Sequence, residues 1–419
     1  MSSLLATMYR EAVKTYENIG PEKEADVGYS TGFPSFDMRN AIKVHVKSEE
    51  KGLDYSYYQV GIVDGSMTTI LGRSGSGKST FAYQVAGNIV RPFVNGTIYA
   101  DEIESGMQDA RKSKLTKFYG EEFRQRLICR NTGVTSENFY ENVKLIRDIK
   151  ISNKENYEYN TGYLDYKGDP IYKLEPTCYI LDSWALLRPA ALTQEEKISG
   201  QMSVTSSVKL NTEIIRRIIP MLKESNINLF IINHILTNVK INPYDRTPAQ
   251  VQYLDEGERC PGGDSIIYLA NNLIKLYDAS STKVMDALGI DGGSVVACKF
   301  LKSRTNKAGK ITYLVYNQED GYDPELSLYI NLKNDKLIEA KGAWMMMAGH
   351  PEFKFQQKNF KQKLREDEAF RKAFMEFAME YLSKMVDDDI KEAEKEAAND
   401  ISLVNDFYSL INYNSGTAA

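Results

Sequence analysis

Residues 72–79 read Gly-Arg-Ser-Gly-Ser-Gly-Lys-Ser. Three glycines let backbone N–H groups approach an anion without interference from side chains. A lysine and a hydroxyl end the run. The spacing G-x-x-x-x-G-K-[ST] suits the phosphates of a nucleoside triphosphate. Lys78 would reach the β and γ phosphates as a point charge, and the Ser79 hydroxyl would ligate Mg²⁺. The cradle is thus Gly72, Arg73, Ser74, Gly75, Ser76, Gly77, Lys78, Ser79 and Thr80. A carboxylate should complete the metal shell. Asp182 closes the apolar run Tyr179-Ile-Leu-Asp182, and a carboxylate at a strand tip can order a metal-bound water. Its bland alternative is a helix N-cap. Hydrolysis also needs a group that orients water. Tyr99-Ala-Asp-Glu-Ile-Glu104 offers three. Glu102 is the first choice, Glu104 the second and Asp101 the third; the alternative for all three is a charged surface.

These groups need a sheet edge to hold them. Met67–Leu71 reads as a strand ahead of the glycine run, and Ser79–Val90 suits a helix after it. Strands are expected at Gly96–Ala100, Arg126–Cys129, Cys178–Asp182 and Asn228–Asn233, with helical patterns near 106–119, 136–149 and 206–224. In the last, Ile214, Ile215, Ile218, Met221 and Leu222 share one side. Further strands are expected at 273–277, 294–301 and 311–316. This alternation indicates an α/β fold with a mostly parallel central sheet. Residues 151–177 interrupt it and read as an inserted hairpin. A long polar stretch over 238–263 reads as a loop, of a length that is usually functional or disordered. Past about 340 the pattern turns helical over 353–386, followed by an acidic run from Asp387 to Asp400. The chain therefore divides into an N-terminal helical segment (1–27), a core (28–335) and a helical C-terminal region (336–419).

The bulk numbers narrow the partners. The 419 residues carry a net charge of −5, so a nucleic-acid site would have to be a local patch rather than a property of the whole molecule. Four cysteines (Cys129, Cys178, Cys260, Cys298) form no C-x-x-C pair, and there are three histidines. A zinc site is therefore not expected, and scattered thiols fit a reducing compartment. The N-terminus places Leu4, Leu5, Met8 and Val13 on one helical face and lacks a signal-like apolar core. No run approaches the ~18 apolar residues of a membrane span. The expectation is a cytoplasmic protein without a membrane partner.

Several further stretches share one resemblance. Ser30-Thr-Gly-Phe-Pro-Ser-Phe-Asp37 ahead of the glycine loop, and Asp182-Ser183, Ile231-Ile-Asn-His234, Pro261-Gly-Gly-Asp264 and Lys302-Ser-Arg-Thr305 after it, resemble the motif order of the RecA family of recombinases. Asn233-His234 and Lys302-Ser-Arg-Thr305 resemble its UvsX-like phage branch. The resemblance spans about residues 28–325 and continues faintly through Gly342-Ala-Trp344 and Phe370-Arg371. It implies a RecA-like P-loop ATPase core with ATP and Mg²⁺ as cofactors. The implied activity is a DNA-dependent ATPase that forms filaments on single-stranded DNA. Such a filament promotes homologous pairing and strand exchange with double-stranded DNA, in recombination and repair. The implied catalytic set is Glu102, Lys78, His234, Lys302 and Arg304. Lys302 and Arg304 would reach the γ-phosphate of a neighbouring subunit, and His234 would sense that phosphate. Two loops, about 187–204 and 238–262, would touch DNA, the second through Lys240, Tyr244, Arg246, Arg259, Gly262 and Gly263. That loop also carries Asp245, Asp255, Glu256 and Glu258, so it is not a basic patch. Single-strand-binding and loader proteins, and the cytoplasm of a phage-infected bacterium, are further implications. The chain departs from the family in the 151–177 insertion and in the Ala-Asp before Glu102, which leaves Glu104 open as the matching residue. The competing readings are a DnaB-type hexameric helicase motor and a regulatory RecA paralogue.

Overall fold

The computed structural model describes residues 26–104, 106–165, 168–193, 201–237, 250–279, 282–290 and 292–415, without the side chains of 201–205, 282–283 and 397–415. The N-terminal helix expected from the sequence, Lys240, Tyr244 and Arg246, and part of the first loop lie outside these residues.

The framework is a nine-stranded sheet. Its strands in chain order are β1 (Met67–Gly72), β2 (Thr97–Glu102), β3 (Leu127–Arg130), β4 (Thr177–Asp182), β5 (Ile227–His234), β6 (Asn272–Asp278), β7 (Gly293–Ser303), β8 (Ile311–Asn317) and β9 (Gly321–Asp323). Across the sheet they run β9-β8-β7-β6-β1-β5-β4-β2-β3. The six strands from β6 to β3 are parallel, and β7, β8 and β9 extend them antiparallel. The expected mixed α/β organisation with a mostly parallel sheet is therefore present. β1 and β4 are buried along their whole length, because helices cover both faces and leave no room for polar alternation.

Alternation along each strand divides the core in two. On one face Ile98, Ile180, Phe230 and Ile232 pack under helix α1 (Lys78–Val90) through Phe81, Val85 and Ile89. α2 (Asp109–Thr116) lies beside α1. On the other face Leu181, Leu229 and Ile231 meet Phe139 and Val143 of α3 (Ser136–Ser152) and Ile214, Ile215, Ile218 and Leu222 of α4 (Gln201–Ser225). Each such aliphatic side chain contributes about 1.5–3 kcal/mol by leaving water, and together they fix α4 against the strand that ends in His234.

The S-T-G lead-in is a polar knot rather than an open turn. Pro34–Arg39 forms one short helix with Pro at its start, where a missing N–H costs nothing. Asp37 is buried and accepts from Ser30 Oγ at 2.6 Å, Thr31 Oγ1 at 2.6 Å and Thr31 N–H at 2.9 Å. The insertion is a hairpin, Glu158–Leu164 with Pro170–Leu174. It leans on a second hairpin, Ile42–Ser48 with Leu53–Gln59, by a Tyr57–Tyr163 stack (4.5 Å between ring centres) and a Lys51–Asp169 pair at 2.5 Å.

The C-terminal region differs from the helical expectation at its start. Ile338–Lys341, Trp344–Met347 and His350–Phe355 make a three-stranded antiparallel sheet. Phe353 and Phe355 are two residues apart and share a sheet face, and both approach Phe370. Helix resumes at Phe360–Glu366 and in α6, the longest helix described (Glu368–Ser415). α5 (Pro324–Asn334) carries this region onto the core through Leu328, Tyr329 and Leu332. The acidic run engages its own chain: Asp387 pairs with Lys43 at 3.0 Å and Asp389 with Lys310 at 2.5 Å. Among the described residues, no helix is long and apolar enough to cross a membrane.

Candidate active site

Four parallel strands end within two residues of one another along one edge. The register sets Gly72 opposite His234, and Asp182 opposite both Ile232 and Glu102. Residues at or just past these ends converge on a cleft of about 510 Å³ lined by Ser74, Gly75, Gly77, Lys78, Ser79, Thr80, Glu104, Arg111, Asp182 and His234. A second cleft of about 570 Å³ adjoins it and shares Ser74, Gly75 and Tyr316. It brings Gly72, Arg73 and Ser76 alongside Asp255, Glu258 and Lys275.

The glycine run turns the chain from β1 into α1. Gly75 and Gly77 have φ of +76° and +80°, a region that side-chain-bearing residues avoid. A Cβ on Gly77 would lie 2.3 Å from Tyr322 Oη, whereas one on Gly75 would meet nothing within 4 Å. Gly77 is therefore packed from behind, while Gly75 borders open space. The first turn of α1 contains no acidic residue of its own, and the positive end of the helix faces the cleft. Lys78 Nζ donates to Arg73 O at 2.8 Å and lies 3.4 Å from His234 Nδ1. Burial lowers its pKa, against the raising influence of Asp182 and Glu104.

Ser79 Oγ donates to Asp182 Oδ2 at 2.5 Å. Burial raises the Asp182 pKa to about 6, with the Ser79 hydrogen bond opposing. Among the described residues no three His, Cys, Asp or Glu side chains gather as a metal cluster. The Ser79–Asp182 pair nevertheless fits Mg²⁺, which takes hard oxygen donors and is held by one or two protein groups together with phosphates and water.

The three carboxylates after β2 separate cleanly. Asp101 turns away from the cleft: it accepts from Arg130 Nε at 2.9 Å and Nη2 at 2.8 Å, and from Tyr179 Oη at 2.6 Å. Glu102 is held beneath α1 and α2. Only 5% of it is exposed, and it accepts from Tyr83 Oη at 2.7 Å and Lys112 Nζ at 2.5 Å. Glu104 lies past the strand end, where Ile103 N–H donates to Asp182 O at 2.6 Å. It alone of the three lines the cleft with Lys78 and Ser79. It accepts from Ser183 Oγ at 2.6 Å and sits 2.9 Å from His234 Nε2. Burial raises its pKa, but Ser183, His234 and Lys78 outweigh that and hold it below the ordinary carboxylate value. Of the sequence's two leading choices, the geometry brings the second to the cleft and buries the first in an ion pair.

Lys302 and Arg304 do not join this cleft. β7 runs antiparallel to β6, so Lys302 pairs with Leu273 and Ser303 with Asn272, at the opposite end of the parallel strands. Leu273 is level with Thr69 and Leu276 with Gly72, which puts Lys302 roughly 10 Å from the glycine loop along the strand direction and Arg304 farther still. Lys302 Nζ donates to Tyr268 O at 2.5 Å, and burial, with the Arg304 charge, lowers its pKa.

Of the loop residues, Arg259 sits on a two-residue strand paired with Leu236–Thr237 and is exposed. Gly262 and Gly263 have φ of +86° and +94°, and a Cβ on either would press on Trp184 or Val208. Two of that loop's acidic residues share one cation: Lys275 pairs with Asp255 at 2.5 Å and Glu258 at 2.7 Å.

Arg111 was not expected at the site. It points along the cleft rim, donating to Gln318 O and, at 3.1 Å, to Tyr316 Oη. No motif marks it; it arrives by the packing of α2 beside α1. No family model matches the chain, and no curated protein matches it.

Proposed function

We propose that this chain is an ATP-dependent DNA recombinase of the RecA type, binding single-stranded DNA as a filament. The observation that carries the reading is the split site. A phosphate-type cleft with Lys78, Ser79, Asp182, Glu104 and His234 lies at one end of the sheet, and the paired cations Lys302 and Arg304 lie at the other. A head-to-tail stack of identical subunits brings these two ends together; such a heterologous contact generates a helix when the rotation does not close. The six-motif order in the sequence supports the same assignment.

In this mechanism the α1 N-terminus and Lys78 hold the β and γ phosphates of ATP, and Ser79 and Asp182 would hold Mg²⁺, which would supply charge neutralisation on the phosphates. Glu104 is ionised at neutral pH and orients the attacking water, accepting its hydrogen bond. Ser183 and His234 fix the carboxylate's direction. Lys302 and Arg304 of the next subunit stabilise the charge that builds on the transferred phosphoryl group, as trans-acting arginines do. His234 lies between Lys78 and Glu104, where arrival or loss of the γ-phosphate alters its partners. Single-stranded DNA runs along the segments that follow β4 and β5.

The test is negative-stain electron microscopy of the purified protein with single-stranded DNA, Mg²⁺ and a slowly hydrolysed ATP analogue. Helical filaments that vanish without nucleotide are expected. Closed six-fold rings would replace this reading with a helicase motor, and neither form with ATP still bound would indicate a regulatory paralogue.

A further inference from the structure

Buried side chains that take no part in the proposed chemistry tie the cleft to the roots of both loop segments. Ser183, Trp184 and Ala185 open the segment after β4. Cys260, Pro261, Gly262 and Gly263 close the segment ahead of β6. Asn233 lies between them, fully buried. Its Nδ2 donates to Pro261 O at 2.7 Å and meets Cys260 Sγ at 2.9 Å. Its Oδ1 accepts from Ala185 N–H at 3.2 Å. One amide thus holds both roots.

Trp184 makes a second tie. Its buried ring donates from Nε1 to Gly262 O at 2.9 Å. A Cβ on Gly262 would come within 2.8 Å of Trp184 Cδ1, so the ring and the glycine backbone are in close contact. The immediate neighbours of these two residues face the other way. Ser183 and His234 both bind Glu104. In each pair of consecutive residues, one side chain meets Glu104 and the other grips the loop roots.

We propose that Asn233 and Trp184 clasp the two roots into one body whose position follows the Glu104–Ser183–His234 cluster, with Asn233 as the positioning residue. A buried amide cannot surrender one partner without leaving a polar group unpaired, so the roots shift together rather than separately. A change at His234 or Ser183 when nucleotide binds therefore reaches both loops at once. The clasp rests on the nucleotide reading of the cleft, and its effect on DNA rests in addition on the recombinase reading.

The sequence contains two tryptophans, and Trp344 is half-exposed in the C-terminal sheet. In Trp344→Phe protein, Trp184 emission reports the clasp alone. Adding Mg²⁺ and the slowly hydrolysed ATP analogue is expected to shift that emission. In Asn233→Ala/Trp344→Phe protein the shift is lost while affinity for a fluorescent ATP analogue is kept. The DNA arm measures the ratio of single-stranded-DNA Kd without and with the analogue. Wild type is expected to give about 5-fold or more, the lower range of allosteric coupling. Asn233→Ala and Trp184→Phe bring the ratio toward one; the phenylalanine keeps an aromatic ring but removes the N–H and part of the indole volume, so both variants are first shown to keep a cooperative urea transition and nucleotide affinity. A folded Asn233→Ala that keeps the Trp184 shift, or a Trp184→Phe with the full wild-type ratio, overturns the clasp. Absence of any nucleotide-dependent shift in Trp344→Phe overturns it as well. A shift that depends on Asn233, without any nucleotide effect on DNA binding, upholds the clasp and instead rejects the recombinase reading.

Discussion

The division of labour between Glu102 and Glu104 is open to a direct test, because the two carboxylates fail in different ways. Glu102 and Lys112 are nearly inaccessible, at 5% and 3% exposed, and meet at 2.5 Å. Glu102→Leu leaves the Lys112 ammonium buried, with Asp109 at 3.4 Å as its remaining ion partner. Breaking a buried pair from one side costs about 3–5 kcal/mol, whereas replacing both partners by apolar groups of similar volume is close to neutral. Urea denaturation should therefore show Glu102→Leu destabilised by about that amount, and Glu102→Leu/Lys112→Met restored to within about 1–2 kcal/mol of wild type. On the proposed recombinase reading, the restored double variant should keep DNA-stimulated phosphate release. Glu104→Gln should do the opposite: stability close to wild type, nucleotide binding intact, and turnover down by about 10²–10⁴-fold, the range for loss of a group that handles the water proton. A stable double variant that has lost turnover as fully as Glu104→Gln would refute the reasoning and return the water-orienting role to Glu102.

Arg304→Ala should abolish DNA-stimulated ATPase with nucleotide affinity retained; mixing it with Lys78→Ala should recover part of the turnover, because a mixed stack pairs an intact cleft with intact cations, and no recovery would argue for action within one chain. Gly77→Ala should abolish nucleotide binding or lower stability by about 1–3 kcal/mol, since it sets a side chain at φ +80° against Tyr322; a fully active Gly77→Ala would show that the loop tolerates a different path. Burial raises the Asp37 pKa to about 6 from an ordinary value of 3.8. The folded state then holds this proton more tightly than the unfolded state, so its contribution is present below pH ~4 and lost as pH rises through about 6, about 3 kcal/mol in all. Urea unfolding from pH 4 to 7 should show stability falling over that window, and Asp37→Asn should remove one proton's worth of the slope; an unchanged slope would show that Asp37 is not its source.

The sequence carried the parallel half of the sheet well because buried parallel strands are short apolar runs between helices, as in Cys178–Asp182 and Asn228–Asn233. The glycine loop was legible for a related reason: its residue types answer to backbone geometry and phosphate charge, both local. The hairpin over residues 42–59 has a strand signal in Ile42, Val44 and Val46 alternating with Lys43, His45 and Lys47, and it lies outside the strands expected from the sequence. What resisted was any question settled by where a strand stops or which way it runs. Glu102 and Glu104 are two apart and so share a face of an extended chain; the choice between them depends on whether α2 lays Lys112 over the first. Lys302 and Arg304 look alike whether β7 points toward the glycine loop or away from it. Its antiparallel pairing with β6 decides the matter and sends them to the far end of the sheet. A single chain cannot then close its own site with those cations. If they act on ATP at all, the functional unit must be at least two subunits stacked end to end, and activity should rise with protein concentration more steeply than the first power until the stacks are formed.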